Sequence, residues 1–150
     1  NRYSLGLHGL QDKLAEMNHA LVNISREAVG HKVYVAGDIT TTGKMMEPAG
    51  DLTYEMAYET YCEQIKVLED AGVDLIVAET MINIEETLAA LDAAASVSSL
   101  PVMCTMTVEA DGSIFSGGNA VEAAIALEGP AGIRCPQYQR ERIHSCHCQT

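Results

Sequence analysis

The sequence predicts an α/β chain built on a parallel sheet, and three observations carry that prediction. Short apolar runs begin near residues 32, 73 and 100; amphipathic helix patterns lie before, between and after them; and glycines or polar clusters separate the two kinds of segment. Alternation at this spacing implies right-handed β-α crossovers and therefore parallel strands.

Leu10, Leu14, Met17, Leu21, Ile24 and Ala28 recur at alternating spacings of four and three, which marks one face of an amphipathic helix that Gly30 ends. Residues 32–39 (KVYVAGDI) are rich in Val and read as a strand, followed by a long loop over 40–51 with Gly43, Pro48 and Gly50. Loops of that length in compact domains are often functional. A second helix starts near Thr53, with Tyr54, Ala57, Tyr58, Tyr61, Ile65 and Leu68 on one face and Gly72 as its stop.

The run over 73–80 (VDLIVAET) reads as a buried strand that ends in a carboxylate, Glu79. Asn83 is a good N-cap for the next helix, with Glu86 completing a capping-box-like pair and Ile84, Leu88, Leu91 and Ala95 along its length. Residues 100–108 (LPVMCTMTV) form a third strand, Asp111-Gly112 and Gly117-Gly118 mark the loop after it, and Asn119 opens a shorter helix. A weak fourth strand is expected at 131–135.

At 150 residues with 47% apolar side chains, the chain has enough material for one domain with a core. A formal charge of -12 argues against a nucleic-acid surface, which needs clustered Lys and Arg. There is no apolar run near the roughly 20 residues of a membrane helix, and no basic segment followed by an apolar one at the start. The expectation is a soluble, cytoplasmic protein with no membrane partner.

Charge and cysteine are unevenly placed. Residues 1–128 carry a balance of -14, whereas 129–150 hold one acid and Arg134, Arg140 and Arg142, with Cys135, Cys146, Cys148, His144 and His147. Those are zinc-ligand types, but C-x10-C-x-C matches no regular finger or ribbon. The division expected is a domain over 1–128 and an atypical tail over 129–150, frame-shifted near Glu128 or disordered. Cys62 and Cys104 fall in helix and strand patterns, where a lone thiol is usually a small buried hydrophobe.

Nucleotide-binding GxGxxG and GxxxxGK[ST] and the hydrolase GxSxG are all absent. Parallel sheets bind ligands at the C-terminal ends of their strands, where Asp38, Glu79, Thr80 and the loops 40–51 and 109–118 fall. A carboxylate at the tip of an apolar strand is costly unless a cation meets it. For Glu79 that cation is either a ligand amine or a structural Arg or Lys, and Asp38 has the same placement one strand earlier. The three threonines 40–42 read as either a carboxylate-binding loop or a polar turn. Two architectures fit the alternation: a small doubly wound parallel sheet, or a fragment of a (β/α)8 TIM barrel, which needs about 250 residues in full.

The segments VYVAGDITTTGKMMEPAGDLTYEMAYETYCEQIKVLEDAGVDLIVAETMINIEETLAALDAA and LPVMCTMTVEADGSIFSGGN resemble the homocysteine S-methyltransferase domain. Among its members they are most similar to the homocysteine-binding module of cobalamin-dependent methionine synthases. The resemblance implies a (β/α)8 barrel, of which this chain would supply about the third to fifth β-α units. It implies homocysteine at the C-terminal rim beside a zinc ion held by three cysteines, and methyl transfer to the homocysteine thiol, giving methionine. Methylcobalamin would come from a partner, a corrinoid-binding domain or protein. Glu79 matches the carboxylate that receives the substrate's amino group. Cys135, in Gly132-Ile133-Arg134-Cys135, is the nearest match to the first zinc cysteine, with Arg134 where the family has Asn. The family's paired cysteines in Gly-Gly-Cys-Cys-Gly have no counterpart in the sequence. At most one of three zinc ligands is therefore expected, and the chain is expected to be inactive alone. The alternative is a self-contained α/β small-molecule-binding module with a metal-binding Cys/His tail.

Overall fold

The computed structural model of the chain describes residues 1–128. A short helix α1 (Arg2–Gly6) and a 3-10 turn at Gln11–Lys13 lead into α2 (Leu14–Val29). Then follow β1 (Ala36–Ile39), α3 (Tyr54–Asp70), β2 (Leu75–Met81), α4 (Ile84–Val97), β3 (Val102–Met106) and α5 (Ala120–Leu127). The strand expected at 131–135 and the tail lie outside the described residues.

The three strands are parallel and lie in the order of the chain, β1-β2-β3, with Gly37 opposite Ile76 and Ile76 opposite Val102. The α/β class and the parallel sheet expected from the alternation are both present. Side chains alternate across the strands. Gly37, Ile39, Ile76 and Ala78 turn to the face covered by α3 and α4, and Asp38, Val77 and Met103 lie side by side on the other. A Cβ at Gly37 would meet Leu68 and Ile76 at 3.2 Å, so the glycine lets α3 lie close on β1.

Helix α3 begins at the expected cap: the Thr53 hydroxyl accepts from the Met56 amide at 3.2 Å. Its inward face carries Ala57, Tyr61, Ile65 and Leu68, as the periodicity predicts, into one core with Leu52 and Ala90. The long loop after β1 is anchored in that core through Met46 and Leu52. Gly50 turns it tightly, and a Cβ there would overlap the Met45 carbonyl.

Helix α2 departs from expectation. Its predicted apolar stripe is not the buried face: Leu14 and Val22 are buried, whereas Met17, Leu21 and Ile24 are exposed among the described residues. Polar anchors set this rotation. Arg26 donates to Asp74 Oδ2 at 2.8 Å and to the Gly72 carbonyl at 2.9 Å, and His19 Nε2 lies 3.2 Å from Asp70 Oδ2. Leu14, Val22 and Arg26 follow one line at spacings of four or eight, and these contacts turn that line inward. No helix among the described residues is long and apolar enough to cross a membrane.

Candidate functional site

Parallel strands bring all their C-terminal ends to one edge, so the sheet places Asp38, Glu79, Thr80 and Thr105 together at one rim. The central strand is irregular there. Ala78 pairs with Cys104 and Met81 with Met106, so three steps along β2 oppose two along β3. The extra residue is a bulge at Glu79-Thr80, and bulges next to binding sites re-aim side chains.

Thr80 has φ 59, a left-handed conformation that is a genuine outlier for a β-branched residue. Two contacts hold it: the Thr80 amide donates to Thr105 Oγ1 on β3 at 2.9 Å, and Thr40 Oγ1, just after β1, donates to the Glu79 carbonyl at 2.9 Å. Backbone strain of this kind persists only where neighbours over-determine it, and it gathers at ligand sites.

Glu79 is exposed and makes no ion pair among the described residues. Asp38 is also exposed, and its carboxyl is pushed above the usual range, first by desolvation and then by the negative charge of Glu79. The rim therefore presents two acids whose charges oppose each other, a setting that favours a cationic ligand group.

Beneath the rim lies a carboxylate whose role the sequence pattern misplaced. Asn83 does cap α4, its side chain accepting from the Glu86 amide at 2.9 Å. The Glu86 carboxylate, however, does not return to the cap. It turns inward, 1% exposed, to accept from the Thr42 amide at 2.7 Å and from the Tyr61 phenol at 2.9 Å. Burial and then the Glu86 charge raise the Tyr61 phenol far above its ordinary value, so it stays a donor. A complete capping box occurs one helix later, where Asn119 and Glu122 satisfy each other at the start of α5. The threonine loop is thus mainly internal structure: Thr42 serves Glu86 and Thr40 serves Glu79.

Zinc is the metal the resemblance implies. Among the described residues no group of three or more His, Cys, Asp and Glu is placed to hold a metal ion. Cys104 shares the helix-covered face with Ala78, opposite to Asp38, and burial pushes its thiol up to about 12, unlike a metal-bound thiolate. The described residues therefore do not fit zinc, and Cys135 lies outside them. Cys62 and Cys104 are partly buried free thiols, close to the small-hydrophobe role expected of them.

The family model of homocysteine S-methyltransferase matches residues 1–138. The chain belongs to the homocysteine S-methyltransferase family. The fold is similar to that of a solved structure, the apo form of the homocysteine methyltransferase MmuM from Escherichia coli, with a TM-score of 0.59 at 19% identity. That match covers 78% of this chain and 48% of the other, so the chain spans about half the length of that relative.

Proposed function

We propose that this chain is part of a homocysteine S-methyltransferase domain in which the Glu79 carboxylate receives the substrate's amino group. The observation that carries this reading is the Glu79-Thr80 bulge, which leaves at the rim a carboxylate without an ion-pair partner among the described residues, beside the raised carboxyl of Asp38. An ammonium group there would neutralise a charge that two acids now share. The sequential strand order supports a segment of a (β/α)8 barrel, about its third to fifth β-α units, over a doubly wound sheet, whose strand order reverses.

In this reading Glu79 binds and orients homocysteine, and Asp38 adds negative potential on the same face. By family resemblance, a zinc ion would supply activation of the thiol for methyl transfer, with methionine as the product. Cys135 is the one proposed zinc ligand in this chain, so the chain is proposed to be inactive alone, with the donor methyl group carried by a corrinoid domain or protein.

Calorimetric titration of the chain tests the amine role. L-Homocysteine should bind more tightly than 4-mercaptobutanoate, which lacks the amino group, and Glu79→Gln should remove that difference. Equal binding of the two ligands to the native chain would overturn the role. A labelled-methyl assay showing turnover that is lost on Glu79→Ala would overturn the inactivity.

A further inference from the structure

We propose that Glu86 is a positioning residue for the Glu79-Thr80 bulge, acting through the loop 40–42; the proposal deepens the reading of Glu79 as the substrate-binding carboxylate. A buried carboxylate without a cationic partner among the described residues needs other compensation. Glu86 has it from three sources: the Thr42 amide, the Tyr61 phenol and its own place in the first turn of α4, where the helix dipole favours an anion.

The path from Glu86 to the bulge is continuous. Glu86 holds Thr42 from below. Tyr61 has its single phenol proton between Glu86 Oε1 at 2.9 Å and the Thr40 carbonyl at 3.1 Å, a shared donor that meets the Thr40 end of the loop directly and the Thr42 end through Glu86. Thr40 then donates its hydroxyl to the Glu79 carbonyl at 2.9 Å. Helix α4 follows directly on β2, with only Ile82 and the cap residue Asn83 between Met81 and Ile84. The result is a closed ring running from β2 through α4, Glu86 and the β1 loop and back to β2 at Glu79. Satisfied polar networks of this kind rigidify what they enclose. Here they enclose the one non-glycine residue with a positive φ among the described residues.

Amide hydrogen exchange, followed by NMR on the 150-residue chain with and without L-homocysteine, tests the proposal. Thr40→Val removes only the link between the loop and Glu79, at an exposed site where folding is not at stake. It should speed exchange at Thr80 about tenfold, the size of one hydrogen bond, while Val77 in mid-strand keeps its protection. Glu86→Ala should do the same, whereas Glu86→Gln, which keeps an acceptor oxygen, should stay near the native rate. Unchanged Thr80 exchange in Thr40→Val overturns the positioning role, whatever Glu86→Ala does to stability. The two readings separate cleanly: faster Thr80 exchange in a chain that binds no homocysteine supports the ring and sinks the substrate assignment. Homocysteine binding that is lost on Glu79→Gln, with Thr80 exchange unchanged in Thr40→Val, does the reverse.

Discussion

Asp38 and Glu79 stand on neighbouring parallel strands with Asp38 opposite Val77, two residues before Glu79, and the charge of Glu79 helps raise the Asp38 carboxyl above its ordinary range. Desolvation is the larger cause. Like charges at this diagonal cross-strand distance oppose folding, and relief comes from a proton, from salt or from a bound cation.

Asp38→Asn should therefore stabilise the chain at neutral pH, by a few tenths of a kcal/mol. The sign follows from the raised folded value: above about pH 3.9, the unfolded value, the native state holds more protons than the unfolded one. The penalty is absent below that pH and develops as pH rises through the raised folded value. Urea unfolding at pH 7 and pH 3.5 should show the gain only at the higher pH, and added salt should shrink it. A variant no more stable than the native chain at pH 7 would remove the repulsion from the account.

Asp74 has the opposite dependence. Its carboxylate is held below the usual range, first by the Val35 amide at 2.7 Å and then by Arg26 at 2.8 Å. Its contribution is present above about pH 3.9 and is lost as pH falls through the lower folded value. Asp74→Ala should lower the urea midpoint at pH 7 and do so progressively less under strong acid. Because Arg26 also turns α2 onto α3, Arg26→Ala should expose Leu14 and Val22 and raise binding of the dye ANS.

Thr80→Asn should stabilise the fold by about 1 kcal/mol, since Asn tolerates a positive φ that a β-branched residue does not. The amide bond to Thr105 does not involve the replaced side chain. Thermal unfolding measures the gain; a destabilised variant would mean that the Thr80 side chain, not its backbone, is what the rim requires.

Gly50→Ala should cost about 1–3 kcal/mol, because the new Cβ overlaps the Met45 carbonyl and the loop must move. The loop carries Met46 and Leu52 into the core, so the loss should appear in global unfolding rather than in local fraying. An unchanged denaturant midpoint would place the turn outside the cooperative unit.

The described elements were legible in outline. The Thr53 and Asn83 caps, the inward line of α3 and the three strand runs follow from spacing and from local hydrogen-bonding chemistry. Strand limits were less so. The predicted run over 32–39 is a strand only over Ala36–Ile39, because only that part has β2 residues to pair with. The carboxylate Glu86 was legible as a cap partner and is a core ligand instead, because the competing donors, Thr42 and Tyr61, lie 44 and 25 residues away.

What the sequence alone determined is what depends on near neighbours: helix periodicity, caps, strand alternation and, through its motifs, kinship with the homocysteine S-methyltransferases and the interest of Glu79. Tertiary structure decided what depends on distant partners. It rotated α2 through Arg26 and Asp74, placed the bulge at Glu79-Thr80 and joined Glu86 to the rim. Each of these is a contact between segments that only folding brings together, and no local period or propensity encodes it.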